Sequence, residues 1–420
     1  MKYLFYLLFL VSLTANAQIR AVNIVDNLGY TLSQEPDEVV FVKGYAKPGD
    51  GGEGFFIFRP DETKSYKGMF VPLRDGSSKG RWERIRYDYV DISFFGAMPN
   101  DNKDDTRAIQ DAIDFAFQNG FPQIIIPVGT FLADSLIIRN GTKMRGHYRG
   151  TIIKSFSEAK GPDKAKSALL KIDTNAVTNV VIENLSFFGN GHEKMCFYIE
   201  GVRKNDVHSG LWKSSFRNIE IRNFSSHSIY LKGGDSYAVN SPNQFISFES
   251  VRIKRNSMPG VNALRIEGQN AQLSFLNCTM DSERIEVNRP ATSWNVFIRR
   301  DPEGGATPAI IKFDTCTIQN SIGAFDIYGA SNVSIENCWF ENIKTSIRIG
   351  EAAKGIVVEN NRFANASGYG GLTEGYVINV TGESQVIFER NLVAGKYSGL
   401  TIKERGSKIH TSDNYPRQAN

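Results

Sequence analysis

The sequence has little of what staples or metallates a fold. It holds four cysteines in 420 residues, without the paired short spacings of a metal site and too few for a disulfide scaffold. Excess charge of one sign is also lacking. The net charge is only +4, and no run of Lys and Arg is interleaved with aromatic residues, which argues against a nucleic-acid partner. Past the first residues no stretch is apolar enough to cross a bilayer. No acidic cluster calls for calcium, so no cofactor or metal is expected. The chain has one Asp-Asp pair, Asp104-Asp105, and no Arg-His-Gly triplet. What remains is ordinary globular composition, 41% hydrophobic and 22% charged, enough for a large core in several domains or in one long repeat domain.

The first 17 residues read as a signal peptide. Met1-Lys2 is a short positive start, Leu4 to Leu13 is almost wholly apolar, and Ala15-Asn16-Ala17 supplies small residues for cleavage before Gln18. The apolar run is short for a membrane span. The mature chain is expected to be secreted, to the periplasm or beyond the cell, with no membrane partner after cleavage. Residues 18–90 read as a small β-rich head, with strands at Val39-Val40-Phe41-Val42 and Phe55-Phe56-Ile57-Phe58 around an exposed tight turn, Pro48-Gly49-Asp50-Gly51-Gly52. Gly80 to Ile85 closes it.

From residue 91 the pattern changes. Asp91 to Ala97 reads as a strand entering a turn. Ala108, Ile109, Ala112, Ile113, Ala116 and Phe117 then recur at helical spacing. Asp104-Asp105 offers a carboxylate to cap the start of this helix, and Asn119-Gly120 ends it. Ile124-Ile125-Ile126 and Leu136-Ile137-Ile138 follow as strands.

Beyond residue 180 the chain repeats a unit of an apolar residue, a polar one, then Asn or a small polar substitute, then further alternation. Copies are Ile182-Glu183-Asn184-Leu185, Phe216-Arg217-Asn218-Ile219, Phe248-Glu249-Ser250-Val251, Phe275-Leu276-Asn277-Cys278, Phe313-Asp314-Thr315-Cys316, Ile335-Glu336-Asn337-Cys338, Val358-Glu359-Asn360-Asn361 and Phe388-Glu389-Arg390-Asn391. The third position recurs after 34, 32, 27, 38, 22, 23 and 30 residues. The shortest intervals fit one turn of a β-solenoid, and the longer ones leave room for loops. Each unit carries a second strand ending at or near Gly, as in Phe197 to Gly201, Ile229 to Gly233, Leu264 to Gly268, Phe325 to Gly329 and Ile347 to Gly350. One coil cannot bury its own apolar side, but stacked coils bury a continuous column with strands about 4.8 Å apart. The Asn at the turn can bond backbone groups or the Asn of the next coil.

Phe95-Gly96-Ala97, Asp104-Asp105-Thr106, Ala108-Ile109-Gln110, Ala112-Ile113, Ile126-Pro127 and Gly129-Thr130-Phe131, continued by Leu136 to Gly146 and Thr151-Ile152-Ile153, resemble the opening motif of the pectate-lyase superfamily. That group includes polygalacturonase-like glycosidases, polysaccharide lyases and phage tailspike depolymerases. The resemblance covers 91–153 by motif and 180–405 by repeat. Gly44-Tyr45, the 48–52 turn and Gly80-Arg81-Trp82 are similar to the segment preceding the motif in many members. It implies an all-β fold, a right-handed parallel β-helix over 91–410 with an N-terminal capping helix, the β-rich head before it and a tail at 411–420. It also implies a polysaccharide partner, and either a monomer or a tailspike-like homotrimer. The motif is specific for the fold and not for the chemistry. Polygalacturonase-like members place paired aspartates at the Gly-terminated strands, and here the Asp pair lies at the helix cap instead.

The candidate site is the column of outward residues on the Gly-terminated strands: Tyr198, Glu200, Tyr230, Lys232, Arg265, Glu267, Asp326, Tyr328 and Arg348. Aromatic faces suit pyranose rings, and the cations tilt the substrate toward an acidic glycan. Hydrolysis needs two carboxyls, for which Glu200 and Glu267 are spaced, with Asp235 a further acid. Elimination needs a base beside a uronate and a cation for the enolate, for which His227 with Lys232 or Arg265 serves. The expected function is a secreted polysaccharide-degrading enzyme, glycosidase or lyase. The alternatives are a non-catalytic glycan-binding β-helix or a uronate epimerase. His192-Glu193 reads as a turn and His147 as structural. Cys278, Cys316 and Cys338 share one repeat position and read as buried free thiols, although Cys316 and Cys338 fall on neighbouring coils where a disulfide is conceivable.

Overall fold

The computed structural model describes residues 19–415 apart from 34, 86–87, 121, 158–166, 174, 192–193, 202, 205–206, 235–240, 255–260, 283–293, 304, 366–374, 396 and 398. The expected signal peptide at 1–17, His192-Glu193 and Asp235 lie outside the described residues. The chain divides into two compact units, one of the residues up to 87 with Ser93–Met98, the other of Asp88–Ile92 with the residues from Pro99 onward.

The smaller unit is a five-stranded sheet in the order Arg20–Val22, Val39–Val42, Gly54–Arg59, Arg81–Arg84, Phe70–Pro72. Val22, Val40, Val42, Phe56 and Trp82 form its core with Val25 and Leu28 of a short helix. Two polar residues hold the motif around it. The Asp50 carboxylate accepts backbone N–H groups from Tyr45, Ala46, Lys47 and Gly52 at 2.7–3.1 Å, which closes the glycine-rich turn. The Arg84 guanidinium donates to the carbonyls of Gly52, Glu53 and Gly68 and lies between the Phe56 and Phe94 rings. Asp91 to Ala97, read above as a strand entering a turn, is the end of a strand, Tyr89–Asp91, followed by a 3-10 turn, Ile92–Phe95.

The larger unit is a parallel β-helix. In the repeats each coil supplies three strands, and each strand pairs in parallel with its counterpart one coil away. The helix Thr106–Gln118 lies against the first strands, Tyr89–Asp91, Gln123–Ile125 and Leu136–Ile138. Its two aspartates divide the work. Asp104 accepts the Thr106 N–H at 2.8 Å, whereas Asp105 accepts the N–H of Leu132 and makes no side-chain cap. The buried stripe differs in one place from the spacing, since Phe115 is buried and Phe117 exposed. Phe115 follows Ala112 by three residues, and Phe117 sits at the stripe's margin.

The repeat has a direct physical meaning. Its first position, Ile182, Phe216, Phe248, Phe275, Phe313, Ile335, Val358 and Phe388, forms one buried column. Within it the rings of Phe216, Phe248, Phe275 and Phe313 stack with centroids 4.6–5.0 Å apart and planes within 10°. The third position is left-handed in every copy, with φ between 52° and 58° at Asn184, Asn218, Ser250, Asn277, Thr315, Asn337, Asn360 and Arg390. Asn tolerates that backbone better than other residues with a side chain. Asn218 also donates to Asn184 of the coil before at 2.7 Å. At the fourth position, Cys278, Cys316 and Cys338 are free and buried, and each thiol points at a backbone carbonyl of the preceding coil, those of Phe248, Phe275 and Phe313. The column then continues as Asn361 and Asn391, which bond one another and cap backbone N–H groups.

Two outcomes test this account. Phe275→Ala opens the centre of the ring stack and is expected to lower unfolding free energy by about 3–5 kcal/mol in chemical denaturation. In the smaller unit, burial pushes the Asp50 carboxyl up, but the four backbone donors outweigh it and its pKa is lowered. A depressed folded pKa contributes stability above the unfolded value that is lost as pH falls through the folded one. Asp50→Asn is therefore expected to cost about 1–2 kcal/mol near neutrality, with the deficit shrinking as pH drops below about 4, read from melting curves across pH.

Candidate functional site

Strand register brings the outward residues of the Gly-terminated strands together, in two files rather than the single column expected. The first file runs Tyr198, Tyr230, Arg265, Phe297, Asp326, Arg348, Asn379. The second runs Glu200, Lys232, Glu267, Arg299, Tyr328. Alternation puts Phe197, Ile199, Ile229, Leu231, Leu264, Ile266, Val296 and Ile298 into the core between them.

Side chains within the files are interlocked. Tyr230 donates its hydroxyl to Glu267, and Arg265 donates to the same carboxylate. Lys232 lies 3.3 Å from Glu200. The Tyr198 and Tyr230 rings meet edge to face at 5.4 Å, and the Arg265 guanidinium lies over the rings of Phe297 and Tyr230. Outward direction therefore does not mean exposure: Tyr198, Glu267 and Asp326 retain only 5%, 7% and 2%. Neighbouring side chains cover them, which one strand's alternation cannot reveal. Burial and the adjacent carboxylates, Glu200 beside Tyr198 and Glu267 beside Tyr230, push both phenols up, so each remains a hydrogen-bond donor.

Farther along, Arg348 grips Asp326 through two hydrogen bonds of 2.7 and 2.6 Å and stacks 4.7 Å from the Trp294 ring centroid. Burial raises the Asp326 pKa more than Arg348 lowers it. Trp294 reaches over the next coil, where a Cβ at Gly323 would lie 2.1 Å from its ring, so only glycine leaves room.

His227 sits under the first cluster, its ring 5.7 Å from that of Tyr230. Its Nδ1 accepts the backbone N–H of Asn262 at 3.0 Å, so the neutral imidazole carries its proton on Nε2. That arrangement suits a donor and a support for Tyr230 better than the base considered above. Lys194, buried just ahead of the first strand of the files, bonds Asp134 and Ser157. Among the described residues no three His, Cys, Asp or Glu side chains converge to hold a metal ion, and no helix is long and apolar enough to cross a membrane.

A family model described as rhamnogalacturonase A/epimerase, pectate lyase-like, matches residues 89–299, just over half of the chain. The chain belongs to that family. A right-handed β-helix model matches residues 303–416 of this pectate lyase-like protein, which sets the hand of the coil. No curated protein sequence matches it significantly. Among solved structures it is similar to a tailspike of Acinetobacter baumannii bacteriophage Fri1, a capsular polysaccharide depolymerase, with TM-score 0.62 and 14% identity over 94% of this chain and 70% of that one. The enzymatically active domain of tailspike protein 2 of bacteriophage CBA120 gives 0.61 and 12% over 97% of this chain, which spans only 59% of that domain. The A-module of the Azotobacter vinelandii mannuronan C-5 epimerase AlgE4 gives 0.52 and 15%, over 78% and 94%. At these identities the likeness is one of fold.

Asn379 escaped the sequence reading, and so did three members on one strand, Trp294, Phe297 and Arg299. Their strand, Trp294–Arg299, runs into Arg300-Asp301 and not into glycine. The available signal was its alternation, with Val296 and Ile298 inward.

The Asp326–Arg348 pair offers a direct test. Arg348→Ala leaves a buried carboxylate without its partner and is expected to cost about 2 kcal/mol, discounted because Arg348 is itself partly exposed. Adding Asp326→Asn to that variant should restore about half of the loss, read as the coupling in a double-mutant cycle of denaturation midpoints.

Proposed function

We propose that this protein is a secreted, polysaccharide-degrading glycosidase that lays an extended acidic glycan along the two files and cuts it between Glu200 and Glu267. The observation carrying the reading is that these two carboxylates occupy one file two strands apart, with Lys232 between them. Two strand spacings amount to about 10 Å, close to the carboxyl separation of about 6.5–9.5 Å used by inverting glycosidases. Glu267, with Tyr230 and Arg265 directed at it, suits the base that holds the attacking water. Glu200 is the acid that protonates the leaving oxygen. Tyr198 and Tyr230 border the pyranose, and Lys232, Arg265, Arg299 and Arg348 answer acidic groups along the chain. Family membership supports action on a glycan, and the 1–17 leader supports export.

A second reading, abstraction of the proton beside a uronate leading to elimination or epimerisation, is favoured by the Tyr230 phenol, which is in register with Arg265 and shares its strand with Lys232. Incubation with a panel of acidic and neutral polysaccharides separates the two. Hydrolysis gives new reducing ends without the ultraviolet absorbance of an unsaturated uronate. Elimination gives both, and epimerisation alters the sugar's proton spectrum without shortening the chain. Glu267→Gln and Glu200→Gln are each expected to lower kcat about 10²–10⁴-fold. Undiminished turnover by either variant would remove that residue from the chemistry.

A further inference from the structure

A second surface of the same β-helix lies on a different face from the two files, beyond the bend at the left-handed Asn342. Strand register there places Trp339, Arg362 and Leu392 on successive coils, and Leu392 bridges to Tyr415. Such a line spans about 14 Å at the usual strand spacing. These residues face solvent, Trp339 and Leu392 at 36% and Tyr415 at 68% exposure. The indole is held rigidly: its Nε1–H points to Glu341 at 3.4 Å, and the Arg362 guanidinium lies 4.7 Å from its ring centroid. The Arg362 guanidinium makes no hydrogen bond among the described residues, and its donors lie beside an exposed aromatic ring. On one flank run the exposed corner residues Asn337 and Asn360. On the other, Glu341 is followed by Ala364 and Ala394, a low floor.

We propose that this strip is a second glycan-binding site, which holds a further length of the polysaccharide outside the reacting files. The proposal rests on the reading that the protein acts on a polysaccharide. Its proportions select the occupant. The apolar side chains stand in single file, with a polar flank on one side and a low alanine floor on the other, whereas a stable protein partner needs about 800 Å² per side with a broad aromatic or aliphatic centre. A sugar ring needs one aromatic face and a few donors for its hydroxyls or acid group, and Trp339 with Arg362 supplies both. One strand, Trp339–Gly350, serves both surfaces, presenting Trp339 to the strip and Arg348 to the files, with the chain bending at the left-handed Asn342 between them. A long polymer is thereby held at two places on one rigid body, which raises its effective concentration at the reacting files without changing the chemistry.

The test is affinity electrophoresis of the mature full chain through native gels containing polygalacturonate, alginate or hydroxyethylcellulose, with Glu267→Gln and the double variant Trp339→Ala/Tyr415→Ala alongside. The wild type and Glu267→Gln should be retarded alike in at least one gel. The double variant should bind that polymer about tenfold more weakly, with an unchanged melting temperature and unchanged turnover of short oligomers. Retardation of the double variant equal to wild type, no retardation of wild type in any gel, or a change in oligomeric state by light scattering would each overturn the strip. Full activity in Glu267→Gln would overturn the catalytic reading and leave the strip standing.

Discussion

Everything in the larger unit depends on how each coil turns its corner. Single residues in left-handed backbone, two or three to a coil, form the corners between extended segments, as at Asn337 and Asn342. A corner of one residue keeps the phase of the alternation constant from coil to coil. Phe216 therefore falls on Phe248, Phe275 and Phe313, and the same phase places Tyr198 over Tyr230 and Glu200 over Lys232. A shift of one residue at any corner would turn the following core column outward. The columns of stacked rings and of Asn and Cys side chains hold the phase from inside.

The outer files obey a different logic. Their charges alternate along the second file, from Glu200 to Lys232, Glu267 and Arg299, across to the first file through Arg265, and within the first file from Asp326 to Arg348. Parallel stacking sets like positions about 4.8 Å apart, so like charges in sequence would repel strongly. The alternation removes that repulsion and locks rotamers, as in the Arg348 clamp on Asp326 and the Trp294 ring over Gly323. Fixed donors and carboxylates lose little freedom when a ligand arrives, which is what a surface that must orient a flexible polymer requires.

Much of the fold was legible in single residues. The Ile182-Glu183-Asn184 pattern and its copies mark the corners because few side chains tolerate left-handed backbone, and the apolar first position marks the core column. The capping helix was legible from its stripe, except that Phe115 and Phe117 exchange roles at the margin. The outward positions of Tyr198, Tyr230, Arg265 and Arg348 followed from alternation. What escaped was whatever depended on a neighbouring coil: the strand Trp294–Arg299, which lacks a terminal glycine, the burial of Glu267 and Asp326 beneath their partners, and the hydrogen bond that commits Nδ1 of His227 to Asn262.

The sequence by itself determined the coil: its corners, its inward columns and the alternation that sends charged and aromatic residues outward, because backbone conformation and side-chain direction are local properties. Only the tertiary structure decided which outward residues meet. Coil lengths vary with their loops, so Arg348 finds Asp326 22 residues back and Asn320 finds Asp281 39 residues back, and register across coils selects each partner. Contact between Arg348 and Asp326, or between Arg362 and Trp339, arises from stacking that no single coil contains.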